Sequence, residues 1–405
     1  MKSAVFARSK PGVVANGIRS RFSPRKEKIE SRLFRFVGDY NAWLSNGFHS
    51  RACVALPRDS LHSCARHSEK DLDVVHPPPV PRDPKDRESG VIIETNILDP
   101  KTTHGSVDVR KGPLSLGWSP YDRKRYLAQS LLGIGGYGRV YLAIDEDKQV
   151  PVAIKVIPKV CPDGSDFEKV RCRLVQEANM LRQLQESPHV VRLQDQLEDD
   201  KNAYLVMEYL QGETLEEFVV RHRESLTEID IGEIALQVFS VLYECHRLGI
   251  VYADVKPTNF IAARTASGGI HLTAIDFGCA QQVSAGKVLC ARRGTYKYFA
   301  PEVYLRHYST PADVWSAGMM LYRLVAGKFP WWSKDLEISV EEAQEKICSP
   351  KPVPFHGKRL AQLSPQARDF LQQALTKDQF DRPTAYAALQ HQWLVAVQCL
   401  SDGLV

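Results

Sequence analysis

Three residues in one short stretch are of the types that can move a phosphoryl group. The stretch is Val251-Tyr-Ala-Asp-Val-Lys-Pro-Thr-Asn-Phe260, with Asp254, Lys256 and Asn259 set around Pro257. A carboxylate can take the proton of an attacking hydroxyl. An ammonium can offset charge on a transferring phosphate, and an amide oxygen can hold a magnesium ion. Taken alone, the stretch reads equally well as a polar loop at a helix end. Partner motifs at suitable distances have to decide.

Phosphate chemistry needs a second set of groups, placed by strands and a helix. Leu132-Gly-Ile-Gly-Gly-Tyr-Gly-Arg-Val140 carries Gly133, Gly135 and Gly138. Glycines let a backbone bend and come close to phosphates, although the pattern by itself is weak evidence. A dinucleotide fingerprint requires a helix at the third glycine. Here Arg139-Val-Tyr-Leu-Ala-Ile144 is strand-like instead, so the loop joins two strands. Val152-Ala-Ile-Lys-Val-Ile157 follows. Its period of two puts Val152, Ile154 and Val156 on one face and Ala153 and Lys155 on the other. A lysine in such a strand is costly to bury unless paired. Helical spacing from Phe167 to Leu184 sets Leu174, Glu177, Leu181 and Leu184 on one stripe. An acid on an apolar stripe needs a partner, so Glu177 is paired with Lys155. Glu168 and Glu186, near the helix ends, read as solvated.

Further motifs follow in order. Asn202-Ala-Tyr-Leu-Val-Met-Glu-Tyr-Leu-Gln-Gly212 reads as a strand entering a turn, and Ile234 to His246 as a helix before the catalytic stretch. Gly268-Gly269 marks a hairpin, and His271-Leu-Thr-Ala-Ile275 is a strand leading into Asp276-Phe-Gly278. Gly294-Thr-Tyr-Lys-Tyr-Phe-Ala-Pro-Glu302, Pro311-Ala-Asp-Val-Trp-Ser-Ala-Gly318, Phe380-Asp-Arg-Pro-Thr384 and His391-Gln-Trp-Leu394 complete the series. Over roughly 125–394 the chain resembles the eukaryotic protein kinase family. The Val-Met-Glu-Tyr stretch, Lys328-Phe-Pro-Trp-Trp332 and the terminal His-x-Trp-Leu point within it to the calcium/calmodulin-dependent and calcium-dependent group. No EF-hand loop of the Asp-x-Asp-x-Asp-Gly type occurs in the sequence. The resemblance is therefore taken to imply no direct Ca2+ binding.

The resemblance implies an α+β fold of two lobes, a small β-rich one and a larger, mostly helical one. It implies ATP and Mg2+ as cofactors and a protein substrate bearing Ser or Thr. Leu132, Gly133, Ile134, Gly135, Gly136, Tyr137, Gly138 and Val140 would cover the nucleotide. Ala153 and Met207 would flank the adenine, and Lys155 would hold the α- and β-phosphates. Backbone groups of Glu208 and Leu210 would bond the adenine edge, and Glu213 would meet the ribose or a basic substrate residue. Asn259 and Asp276 would hold the metal. Asp254 would orient the hydroxyl and accept its proton, while Lys256 offsets charge. Thr295 would bond Asp254 and Lys256 and support hydroxyl selection. Asp313 would bond the catalytic-loop backbone, and Arg382 would pair with Glu302. Lys256-Pro-Thr-Asn259 is the serine/threonine form of the loop. Two departures stand out. Tyr252 replaces the usual histidine, and Ala253 replaces the arginine that grips an activation-segment phosphate. This non-RD loop implies activity without such a phosphate. Lys155, Asp254 and Asp276 are all present, which separates the chain from pseudokinases.

The 405 residues are 43% hydrophobic and 25% charged, the composition of a globular protein, and the net charge of +5 argues little for nucleic acid. No apolar run is long enough for a membrane span. Nine scattered cysteines form no Cys-x-x-Cys pair, which fits reduced thiols. Residues 1–60 read as a transit segment. Residues 1–26 carry Lys2, Arg8, Lys10, Arg19, Arg21, Arg25 and Lys26 and no acid, a plastid-type composition with mitochondrion or cytoplasm as alternatives. Residues 61–124 read as a Pro-rich disordered linker, including His76-Pro-Pro-Pro-Val-Pro-Arg-Asp-Pro84. Residues 125–394 are expected to form the kinase domain and 395–405 a short tail. Residues 1–120 are expected to be dispensable for chemistry.

Overall fold

The computed structural model describes residues 115–401 apart from 136–137, 160–166, 267 and 334–336, and the side chains of 167–170. The transit-segment reading, most of the linker reading, and Gly136 and Tyr137 lie outside the described residues.

β-branched alternation builds the first lobe. Its strands are β1 (Ser119–Pro120), β2 (Tyr126–Gly135), β3 (Gly138–Asp145), β4 (Val150–Pro158), β5 (Leu193–Glu198) and β6 (Asn202–Glu208). They form one sheet in the order β1-β5-β6-β4-β3-β2. On β4 the period-two expectation holds, with Val152 and Ile154 buried. Helix α1 (Phe167–Gln183) lies between β4 and β5 in the chain. Its stripe is buried as expected at Leu174, Glu177 and Leu181, and Leu184 just beyond it is buried too.

The linker expectation needs correcting at its end. Residues 115–121 are ordered: β1 pairs in parallel with β5, Ser119 opposite Leu197 and Pro120 opposite Glu198. Leu116 and Trp118 pack on the sheet, and Tyr121 stacks on Tyr204 with ring centroids 3.9 Å apart. Local composition hid this edge strand, because two residues, one of them Pro120, close behind Gly117 carry almost no strand signal.

Helices build the second lobe. The short β7 (Glu213–Thr214) leads to α2 (Leu215–His222) and α3 (Glu228–Arg247). Helix α3 starts earlier than the apolar period suggested, because Thr227 and Asp230 form a capping box that nucleates the first turn. β8 (Ile250–Val251), β9 (Phe260–Arg264) and β10 (Ile270–Ala274) frame the catalytic stretch, and β9 and β10 form the expected hairpin. After β11 (Gln281–Gln282) come α4 (Pro301–Tyr304) and α5 (Pro311–Ala326). Helix α5 is buried on nearly every face, which its apolar sequence all round requires. Next are α6 (Val340–Cys348), α7 (Lys358–Ala361), α8 (Pro365–Ala374), α9 (Ala385–Leu389) and α10 (Gln392–Ser401). The expected tail from 395 is therefore largely the body of α10. Val397 is buried against Gly232 of α3, where a Cβ would come within 2.5 Å of it. Among the described residues no helix is long and apolar enough to cross a membrane. Among the described cysteines, Cys172, Cys245, Cys348 and Cys399 are free thiols.

Candidate active site

The catalytic stretch is held from below by one buried carboxylate. Asp313, in the first turn of α5, accepts hydrogen bonds from the backbone N–H groups of Tyr252 and Ala253, each at 2.8 Å, and lies 2.9 Å from His246 Nε2. This clamp keeps Ala253 in the left-handed region, with φ of 66°. That conformation costs a residue with a Cβ roughly 1–2 kcal/mol. The turned Ala253 carbonyl meets Gly294, where a Cβ would lie 2.2 Å from it, so the activation segment can close here only through glycine. Tyr252, in the histidine position, is fully buried edge-on to Phe277, with ring centroids 4.9 Å apart. Burial, reinforced by Asp276 and Asp254, pushes its hydroxyl well above the ordinary phenol range and keeps it neutral.

Above the clamp the expected residues converge. Thr295 donates to Asp254 Oδ1 from its hydroxyl at 2.7 Å and from its backbone N–H at 2.9 Å. Lys256 Nζ lies 2.7 Å from Asp254 Oδ2 and donates to Thr295 Oγ1 at 2.8 Å. Asn259 donates its amide hydrogens to the Asp254 carbonyl at 2.9 Å and to Oδ2 at 3.0 Å. Both amide hydrogens are thus committed within the protein, which leaves the amide oxygen for a cation.

The sheet supplies the facing half. Lys155 donates to Glu177 Oε1 at 2.7 Å and to Asp276 Oδ1 at 3.0 Å. Burial alone would pull the ammonium down. The Asp276 and Glu177 carboxylates outweigh it and hold Lys155 above its ordinary value, so it is charged. Burial alone would push the Asp276 carboxyl up, but the Lys155 charge and the Gly278 N–H keep it low. Oδ1 of Asp276 takes both of those bonds. Its Oδ2 accepts none among the described residues, so the donor set for a cation is one carboxylate oxygen and one amide oxygen. Two hard oxygens that leave positions for phosphate and water suit Mg2+.

The nucleotide side is consistent with this. The glycine loop joins β2 to β3. A Cβ on Gly133 would meet nothing, whereas one on Gly138 would lie 2.3 Å from the Val156 carbonyl. Gly138 is thus demanded by strand packing. Leu132 and Ile134 are exposed, with Ile134 at 65%, and Val140 stands opposite Lys155 in the β3–β4 register. Ala153 stands opposite Met207, which is buried, and Leu210 packs on the main core. The Glu208 backbone N–H bonds to the Arg192 carbonyl, which fixes the strand leaving the sheet. Glu213 sits on β7 with its carboxylate 3.0 Å from Arg221.

Other structural roles also appear as expected. Arg382 donates to both Glu302 oxygens, at 2.6 and 3.2 Å. Sequence reasoning missed the clasp on the activation segment. Leu289 and Tyr308 exchange both backbone hydrogen bonds, at 2.8 and 3.2 Å. The buried Tyr308 hydroxyl donates to the Ala291 carbonyl at 2.6 Å and accepts from Gln281 at 2.9 Å. It also missed the fork of Arg323 on Glu216, which spans 107 residues of chain. No local pattern marks either.

Comparison with known proteins agrees with this geometry. The model of the protein kinase domain matches residues 126–394. CDPK-related kinase 7 from Arabidopsis thaliana is 35% identical over 283 residues, covering 69% of this chain and 47% of that protein. Calcium-dependent protein kinase 12 from Arabidopsis thaliana is 32% identical over 283 residues, covering 68% and 55%. A CDPK-related protein kinase from Daucus carota is 33% identical over 284 residues, covering 69% and 46%. The chain spans about half the length of these relatives. A lysine paired to a helix carboxylate, an aspartate bonded to a threonine hydroxyl, and this match over two thirds of its length agree: the chain belongs to the protein kinase family, near its calcium-dependent and CDPK-related members.

Proposed function

We propose that the protein transfers the γ-phosphoryl group of ATP to serine or threonine hydroxyls of protein substrates. One observation carries the reading: Asp254 is held by Thr295, Lys256 and Asn259 while Lys155 is charged between Glu177 and Asp276. The first group can receive a hydroxyl proton, and the second can hold phosphates.

In this mechanism the substrate hydroxyl displaces Thr295 or lies beside it and donates to Asp254. The Asp254 carboxylate orients the hydroxyl for in-line attack on the γ-phosphorus and takes its proton. The bond from that phosphorus to the bridging oxygen breaks, and ADP leaves. Lys155 fixes the α- and β-phosphates, and Lys256 offsets charge on the transferring group. Asp276 Oδ2 and the Asn259 amide oxygen would hold Mg2+, which when bound neutralises charge on the phosphate oxygens. Positioning and electrostatics supply most of the rate gain. The test is an ATP/Mg2+ transfer assay on a degenerate peptide library, with Asp254→Asn as control. Near-normal activity in that variant would sink the assignment.

The reading has two finer parts. Residues 1–60 direct the protein to a plastid, by the basic, acid-free composition of their first 26 residues. A fluorescent fusion should enter the organelle, and diffuse cytosolic signal would refute it. The kinase domain has no dedicated Ca2+ site, since the sequence holds no Asp-x-Asp-x-Asp-Gly loop with a distal glutamate. Calorimetric titration with Ca2+ in saturating ATP and Mg2+ should show no binding heat, and a saturable signal would overturn this.

A further inference from the structure

Helix α1 carries Glu177, and its two ends rest on different supports. Towards its C-terminal end, Met180 and Leu181 join the large core shared with the second lobe. On the side that holds Glu177, Leu174 and Ala178 join a small cluster with Ile157, Ala203 and Leu205. Leu205 stands opposite Lys155 in the β4–β6 register. Among the described residues, Leu116, Trp118 and Leu193 are the partly buried hydrophobics packed against this cluster. Two of those three come from the segment ahead of β2.

That segment is fastened from both sides. The Glu198 carboxylate accepts the Leu116 N–H at 2.8 Å, the Trp118 N–H at 3.0 Å and the Ser115 hydroxyl at 3.2 Å. It also accepts Lys159 Nζ at 2.6 Å, and Lys159 directly follows the strand that bears Lys155. Burial alone would push the Glu198 carboxyl up. The Leu116 N–H, the Lys159 ammonium and the Trp118 N–H together hold it low, so the fastening is charged at neutral pH. Gly117, at φ of 72°, makes the turn between the two N–H donors. Tyr121 donates its N–H to the Glu198 carbonyl at 2.9 Å and closes the strap.

We infer that residues 115–121 are a positioning element of the catalytic apparatus, a strap that holds α1 where Glu177 reaches Lys155. Leu116 and Trp118 act through the helix and touch no reacting atom. The working domain therefore begins no later than Ser115, and a chain cut near Lys124 loses the strap. The inference rests on the proposed kinase reading for its activity readout and on α1 alone for its structural one.

The test uses full-length protein in two measurements. The first is hydrogen exchange of the α1 amides from 171 to 181, which needs no catalysis. Trp118→Ala should speed their exchange about tenfold or more, and Trp118→Phe should stay near wild type. Unchanged protection in Trp118→Ala overturns the inference. The second is a double-mutant cycle with Glu177→Gln on kcat. Trp118→Ala should lower kcat about tenfold in the wild-type background and less than about twofold in the Glu177→Gln background, with KM for ATP moving less than kcat. Equal losses in both backgrounds would mean that the strap only supports the fold, and would overturn the inference. If Trp118→Ala fails to fold, Glu198→Gln, which keeps the packing, takes its place in both measurements. An inactive wild type would fail the kinase reading and leave the exchange result to decide this one.

Discussion

The two halves of the site are built to different standards. In the second lobe Asp254 is bonded by Thr295, Lys256 and Asn259, and the loop beneath it is clamped by Asp313. All of this stands on one large continuous core. In the first lobe Lys155 is held by two carboxylates, and the sheet's apolar residues are split between two small clusters. The roof strand β2 leaves Leu127, Leu131 and Leu132 exposed. The half that handles the hydroxyl is fixed, while the half that grips the nucleotide has little of its own to hold it. Such a half needs outside support, which is the physical reason for the strap.

The sharpest way to break this comparison is to remove one charge from each half. Asp254→Asn, Asp276→Asn and Lys155→Met keep their shapes, so each should lower kcat by roughly 10² or more without unfolding the domain. Steady-state kinetics beside thermal melting checks this. Unfolding instead of inactivation would show that the charges serve stability.

Next in size is the clamp. Asp313→Ala leaves two buried N–H groups without an acceptor and Ala253 in a costly conformation. It should cost about 3 kcal/mol or more in denaturant unfolding and most of the activity. Glu177 accepts the Lys155 ammonium, and glutamine keeps its shape and one acceptor oxygen, so Glu177→Gln should cost activity with much less stability. Similar unfolding losses for both would erase the contrast.

How much of this was legible in the sequence follows the same division. Glu177 could be picked from the stripe Leu174, Leu181 and Leu184, because a helix writes its buried face at a fixed period. Asp313, Arg382 and Thr295 were placed by motif, and each makes the bonds expected of it. The strap was not legible. Leu116 and Trp118 do alternate, but one alternation beside prolines says nothing until the β5 edge and α1 are in place. Tyr308 was missed for the same reason, since its partners Gln281 and Ala291 lie 27 and 17 residues away. Helix α10 was cut short because the family pattern stops at Leu394 while the contact of Val397 with Gly232 does not.

Smaller effects sharpen the account. Gly138→Ala would press a Cβ into the Val156 carbonyl and deform the loop over the nucleotide. KM for ATP should rise about three- to tenfold, with kcat on saturating ATP changed less. Tyr308→Phe deletes the clasp's hydroxyl. It should cost about 1–2 kcal/mol and lower kcat about threefold, because Gln281 and the Ala291 carbonyl lose their partner. A silent Tyr308→Phe would mean that the activation segment is held elsewhere.

The most direct test of the central claim is phosphoryl transfer by the unmodified enzyme. The full chain is made in bacteria and treated with phosphatase, and mass spectrometry confirms that Ser284 and Thr295, hydroxyls of the activation segment between Asp276 and Glu302, are bare. It is then given ATP, Mg2+ and peptides that differ only in carrying serine, threonine or tyrosine. The account predicts transfer to serine and threonine, little to tyrosine, and none above background with Asp254→Asn, since Ala253 offers no grip for a phosphate and Tyr308 already clasps the segment. A bare enzyme that is inactive until Ser284 or Thr295 is phosphorylated, or an Asp254→Asn protein that matches wild type, would contradict it.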